Sequence, residues 1–423
     1  MSAADGPGSQ QRTGRPMPRP SHPPSPVPEP HHPSTPVTTA DLAALARSAG
    51  LRRVHILAWR DLADVEAGGS EVHIAEVARH WAEAGIEITL RTSYAQGQAP
   101  KVTRDGYRVI RKAGRYLVFP RAALSEVAER YGPWDAIVEV WNGMPFFTPV
   151  WRRGRPSIVF MHHVHAEMWK MAMPENERLA RAGELLESRL APLLYRRARI
   201  VTLSESSKRE LVDDLRFRPE RIDVVPVGID PKFSPGGERS SVPLVVAVGR
   251  LVPVKRFDRL IRVLARLRER HPTLRAVISG EGYERPQLEA LVDELGARDW
   301  LDLPGHTSDA ELLALYRRAW VVTSSSVREG WGMTITEAAA CGTPAVVSRI
   351  SGHVDAVDEG RSGLLAAGED ELLDRLDEVL GDEVLRRRLS DGALANAARY
   401  TWMNTAHGAL RALADEAARR SRR

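Results

Sequence analysis

The stretch from Val54 to Leu90, VHILAWRDLADVEAGGSEVHIAEVARHWAEAGIEITL, decides the fold class. Its opening residues, Val54–Ala58, are an apolar run of strand length. Gly68-Gly69 then makes a turn, Ser70 has the chemistry of an N-cap, and Glu71–Ala84 carries a helical pattern that Gly85 stops. Ile88–Leu90 begins a second strand. The same alternation continues outward, with strands expected at Ala136–Val140, Ser157–Met161 and Ile200–Leu203 and segments between them long enough for helical crossovers. Strand, helix, strand in repetition predicts an α/β fold: a mostly parallel sheet with helices on both faces.

A second series follows a break. Val224–Pro235, VVPVGIDPKFSP, followed by GGERSS, reads as an interdomain linker. Strands are then expected at Leu244–Val248, Leu274–Ser279, Leu301–Leu303, Trp320–Thr323 and Ala345–Ser348, and helices at Phe257–Arg270, Pro286–Leu295, Ala310–Arg318 and Thr334–Ala340. The reading divides the chain into a first Rossmann-like domain at 39–232, a second at 233–400, and a terminal helix at 401–423. Residues 1–38 are read as a disordered tail, because the first forty carry eleven of the 29 prolines and no aromatic side chain. What remains, roughly 385 residues, suffices for two α/β domains. Two such halves imply a cleft, and open α/β sheets bind ligands at the carboxyl ends of their strands.

Composition excludes several classes. The single cysteine, Cys341, leaves no disulfide framework and no multi-Cys zinc site, and fits a reducing cytoplasm. No apolar run approaches the roughly 18 residues of a spanning helix, and the Pro-rich start is not expected to be a secretory signal. Sixty basic residues face 55 acidic ones, with no zinc-finger spacing or aromatic RNP-like strand, so no nucleic-acid partner is expected. The excess of charge suits phosphates. Only six of the 60 basic residues are lysines, which singles out Lys255.

Four motifs carry chemistry. In Glu329–Pro344, EGWGMTITEAAACGTP, Gly330 and Gly332 let a ligand approach the backbone, and free N–H groups at Met333, Thr334 and Ile335 would form an anion site at a helix N-terminus. The same residues also read as ordinary capping, with Thr334 and Glu337 as a capping box. Next, VAVGRLVPVKRFDRLI places Arg250 and Lys255 on a strand-to-helix turn, where two cations can neutralise a diphosphate or stand as solvated charges. Gly68-Gly69 before a helix is either a third anion cradle or a tight turn. MHHVHAEMW supplies His162, His163 and His165 at a strand end. His163 and His165 share a face of an extended strand, but no Cys or nearby Asp completes a zinc set.

Glu329 and Glu337, with GWG after the first, closely resemble the signature of retaining glycosyltransferases of family 4, which have the GT-B fold of two facing Rossmann-like domains. The resemblance runs from about residue 51 to the C-terminus. It implies a donor that is a nucleoside-diphosphate sugar, with Glu329 on sugar hydroxyls, the loop Gly330, Trp331, Gly332, Met333, Thr334 and Ile335 offering amides, and Glu337 on the ribose. It puts Arg250 and Lys255 on the diphosphate and sets Gly68 and Gly69 opposite them. Gly280-Glu281-Gly282 falls near the base, and His162 near the sugar. It implies a front-face route without a covalent nucleophile, and the terminal helix after Trp402 crossing back to the first domain.

No Asp-x-Asp triplet occurs, which argues against a metal-dependent GT-A design; neither a metal site nor a cofactor is expected. The expected activity is thus a metal-independent hexosyl transfer to an acceptor hydroxyl. A nucleotide-sugar epimerase or phosphorylase on the same frame, and a noncatalytic nucleotide-sugar-binding protein, are the alternatives. Trp151–Arg155 and an Arg-studded helix through Arg178–Arg199 either form a solvated face or meet an anionic membrane surface peripherally.

Overall fold

A computed structural model describes residues 36–152, 154–162, 181, 183 and 185–422. The first sheet, among the described residues, is built from β1 (Arg53–Leu57), β2 (Glu87–Thr92), β3 (Lys101–Arg104), β4 (Tyr107–Arg111), β5 (Ala136–Trp141), β6 (Ser157–Met161), β7 (Arg199–Thr202) and β8 (Ile222–Val224). Its order is β3-β4-β2-β1-β5-β6-β7-β8, parallel throughout except for the β3–β4 hairpin. The second sheet holds β9 (Leu244–Val248), β10 (Arg275–Ser279), β11 (Leu301–Gly305), β12 (Val321–Ser324), β13 (Ala345–Ser348) and β14 (Gly363–Ala366), all parallel in the order β11-β10-β9-β12-β13-β14. Both sheets reverse their winding beside their first strand, β1 with β5 and β9 with β12. Each therefore opens a crevice at the carboxyl ends of those pairs.

Strand β1 shows why the sheet is covered on both faces. Val54 and Ile56 pack with Ile74, Val77 and Trp81 of the helix Gly69–Glu83, whereas Leu57 points to the other face with Phe119, Trp134 and Phe146. Alternate residues of a strand leave on opposite sides, so a continuous apolar run serves two helical layers. The helix Trp402–Ser421 packs on the helices Thr39–Ser48 and Gly69–Glu83 and on β6 and β7, with Trp81 Nε1 donating to the Ala406 carbonyl at 2.9 Å. The chain enters and leaves the second sheet side by side: Ile229 N–H donates to Tyr400 O at 3.2 Å, and Gly228 lies so close that a Cβ there would sit 2.3 Å from Trp402 N. No helix among the described residues is long and apolar enough to cross a membrane.

Three local expectations change. Ser70 is not an N-cap: the helix starts at Gly69, Gly68 is the cap residue, and Glu71 reaches back to accept its N–H at 2.8 Å while Ser70 Oγ donates to the same oxygen at 2.9 Å. Thr334 and Glu337 do not form a capping box, because Gly332, at φ 111°, occupies the cap of the helix Met333–Ala340. The Arg-studded helix does not reach Arg199. Its described part is a wide turn at Leu186–Leu190 and the helix Ala191–Tyr195, and Arg199 already belongs to β7.

Candidate active site

Strand β9 runs into Gly249-Arg250 and β12 into Ser324–Glu329, so the two turns meet at the crevice of the second sheet. They are stitched together. Ser325 Oγ donates to the carbonyls of Lys255 and Arg256 at 3.0 and 2.9 Å, and Val327 N–H donates to Val254 O at 3.0 Å. This brings Lys255 Nζ to 2.5 Å from Glu329 Oε1, an oxygen that also accepts from Ser326 Oγ at 2.8 Å. Burial works to raise the Glu329 carboxyl, but the Lys255 ammonium, His353 and the two hydrogen bonds outweigh it and hold the group below its ordinary value. Arg250 is exposed and pairs with no carboxylate among the described residues.

The loop after Glu329 is fixed by close backbone packing. A Cβ on Gly330 would lie 2.4 Å from the His162 carbonyl oxygen, at the end of β6 in the first sheet. The N–H groups of Met333 and Thr334 have no acceptor among the described residues, as befits the first turn of a helix. That of Ile335, expected to be free, instead donates to Gly332 O at 3.0 Å, because the left-handed glycine turns its carbonyl into the helix. Trp331 is buried against Tyr400, ring centroids 5.0 Å apart, so only its backbone is available to a ligand.

Glu337 lies one turn further on. Its Oε2 accepts from Tyr316 at 3.1 Å, and burial pushes its carboxyl up to about 7 against the opposing pull of Tyr316 and Lys232. Lys232 is held nearby between Asp230 and Asp309, at 3.3 and 2.7 Å.

The first sheet closes the other side. A Cβ on Gly69 would meet Met333 Sδ at 2.9 Å, and one on Gly68 would come within 3.9 Å of Arg250 Nε. His162 Nε2 lies 2.9 Å from His73 Nδ1, both rings are buried, and burial lowers His162 to about 4, so it is neutral near pH 7. His163 and His165 lie outside the described residues.

Gly280 and Gly282 have a packing reason: a Cβ on either would collide with the carbonyl of Gly249 or of Leu251. Gly280 N–H donates to Gly305 O at 2.8 Å, the Glu281 carbonyl accepts Leu251 N–H at 2.8 Å, and the Glu281 side chain pairs with Arg285 at 2.9 Å. This loop thus buttresses the turn that presents Arg250. Ser326, Tyr316, His353 and His73 complete the site without having stood out in the sequence. His73, Tyr316 and His353 act through partners distant in sequence, His162, Glu337 and Glu329, so no local spacing marks them, whereas Ser326 lies three residues before the Glu329 it donates to. No three His, Cys, Asp or Glu side chains converge on a metal position among the described residues.

Residues 67–233 match the family described as Glycosyltransferase Family 4, and residues 229–395 match Glycosyl transferases group 1. The chain is similar to the D-inositol 3-phosphate glycosyltransferase of Stackebrandtia nassauensis, 32% identical over 400 residues that cover 84% of this chain and 88% of that protein. Its fold is similar to that of sucrose-phosphate synthase from Thermosynechococcus elongatus, with a TM-score of 0.71, 17% identity and coverage of 84% of this chain and 96% of that one. It is also similar to Anabaena Alr3699/HepE in complex with UDP and glucose, with a TM-score of 0.68, 17% identity and coverage of 86% and 100%.

Proposed function

The chain belongs to glycosyltransferase family 4, group 1 type, with the GT-B fold, and on that premise we propose that it is a retaining, metal-independent transferase that moves a sugar from a nucleoside diphosphate to an acceptor hydroxyl. The observation that carries this reading is the Lys255–Glu329 pair, with Arg250 exposed on the same turn and the amides of Met333 and Thr334 without an acceptor among the described residues. Two fixed cations and a helix N-terminus form a preorganised site for a diphosphate, whose charge grows as it departs. The charge that a divalent ion would bring to such a leaving group is already supplied by side chains.

Glu329, kept ionised by Lys255, accepts from sugar hydroxyls, and Glu337 accepts from ribose hydroxyls. In the step itself the bond from the anomeric carbon to the phosphate oxygen breaks, and the acceptor oxygen bonds to that carbon on the same face. The acceptor proton passes to the departing phosphate oxygen. The protein contributes position and charge, and His162, neutral and buried, contributes a fixed wall beside the sugar.

UDP sugars are the first donors to try, because the structurally similar HepE protein holds UDP and glucose. A phosphorylated cyclitol is the first acceptor, because the relatives act by name on D-inositol 3-phosphate. The test is to incubate the chain with a series of UDP- and GDP-sugars and such acceptors in the presence of a chelator, and to read the anomeric configuration of the product by NMR. A product with the donor's configuration is expected. An inverted product, or transfer that stops with chelator and returns with magnesium, would overturn the reading.

A further inference from the structure

Strands β6, β7 and β8 are parallel, so the residues that precede them share one edge of the first sheet, opposite the carboxyl ends that face the cleft. Arg152 precedes β6, Arg196 and Arg197 precede β7, and Arg218 and Arg221 precede β8. The end of the helix Trp402–Ser421 adds Arg419 and Arg420 to the same edge. A cavity of about 430 Å³ is lined by Arg196, Arg197, Arg218, Glu220, Arg221 and Arg419. A second, of about 380 Å³, shares three of those arginines and adds Arg152, Leu193 and Leu194.

The charge here is not balanced. Arg221, Arg419 and Arg420 all pair with one buried carboxylate, Glu416, at 2.7, 2.6 and 2.8 Å. Among the described residues Arg218 has only Glu220, at 3.9 Å, and Arg196 and Arg197 pair with no carboxylate. Burial and the neighbouring Arg420, Arg419 and Arg221 pull Arg152 down to about 10 against the opposing pull of Glu416, so the one carboxylate does not offset the cations around it.

Beside these cations stand apolar side chains that are exposed. Leu193 is 68% and Val150 65% exposed, with Leu185, Leu190 and Leu194 also exposed on the same stretch. A free phosphate would use the arginines and leave the leucines in water; an anionic bilayer satisfies both, with headgroups in the cavities and leucines at the level of the acyl chains.

We propose that this edge of the first sheet is a docking face for an anionic lipid bilayer, with Arg196, Arg197 and Arg218 on the headgroups and Leu193 and Leu194 inserted beside them. Docking by this edge turns the cleft away from the membrane, so the bound protein remains open to a soluble acceptor.

The test is co-sedimentation of the full chain with vesicles of phosphatidylcholine alone and of phosphatidylcholine with an equal amount of phosphatidylglycerol. Binding is expected only to the second and fades with added salt. The double substitution Arg196→Glu with Arg218→Glu should weaken it roughly 25-fold or more, at about fivefold per basic side chain. Leu193→Asn with Leu194→Asn should weaken it as well, at unchanged salt dependence. All four side chains are exposed, so both variants should melt as the parent does. Equal partition onto both vesicles, no partition onto either, or an arginine variant that sediments like the parent would each overturn the proposal.

Discussion

Two carboxylates, one within β5 of the first sheet and one in the helix after β12 of the second, have opposite fates. Glu139, near the end of β5, is fully buried and accepts from Phe146 N–H, Thr148 N–H, Thr148 Oγ1 and Tyr195 OH, at 2.6, 3.2, 2.5 and 2.6 Å. Glu337, one turn into the helix after β12, is only partly buried and, among the described residues, accepts from Tyr316 alone. Burial pushes both carboxyls upward. The four donors around Glu139 leave no lone pair for a ligand, so that residue ties down the loop 142–148. Glu337, with one such donor among the described residues, retains acceptor capacity. A buried acid is therefore read by counting its partners, and its burial alone does not tell structure from function.

The largest effect that sharpens this contrast is expected at the Lys255–Glu329 ion pair. Lys255→Ala should lower transfer by about 10²–10³-fold, the usual cost of one preorganised charge at a leaving group, while the melting temperature stays near that of the parent. Steady-state kinetics with a nucleotide sugar reads the first, and a thermal melt the second. Glu139→Ala should behave in the reverse way. It strands four donors in the core and should cost about 3 kcal/mol or more in urea denaturation, with unchanged nucleotide affinity in the folded fraction.

Glu337→Ala comes next, with about a tenfold to hundredfold weaker binding of a nucleoside diphosphate by calorimetry, the range of a hydrogen bond to a charged acceptor. The smallest effect is on stability against pH. With a folded value of about 7 against an ordinary 4.5, Glu337 binds its proton more tightly in the folded chain. Its ionisation costs nothing below pH 4.5, costs progressively more as pH rises toward 7, and costs the full amount above that. Glu337→Gln removes the cost, so its melting temperature should match the parent near pH 4 and exceed it at pH 8 by about 2–4 °C. A difference that shrank with rising pH would contradict the assignment.

Much of the second half was legible in its sequence because its strands are short, apolar and bracketed by turn residues. Leu244–Val248, Ala345–Ser348 and the helix Phe257–Arg270 carry the bounds expected of them, as does Ser157–Met161 in the first half. The hairpin β3–β4 escaped notice, although Asp105-Gly106 marks its turn, because an edge strand such as Lys101–Arg104 is half polar and exposed. The expected site residues Arg250, Lys255 and Glu329 also fall together, since they sit at the ends of neighbouring strands. Which amides are open could not be read, because it depends on the left-handed Gly332. The close contacts of Gly330 with His162 and of Gly280 with Gly249 likewise join residues far apart in the chain.

On the proposed function, side-chain cations, and no metal ion, hold the diphosphate. Calorimetric titration of a nucleoside diphosphate into the parent chain and into Arg250→Ala, each with chelator present, tests it most directly. Tight binding to the parent in chelator and a loss of at least about tenfold in the variant are expected. Binding that disappears with chelator and is restored by magnesium, or that is indifferent to Arg250, would contradict it.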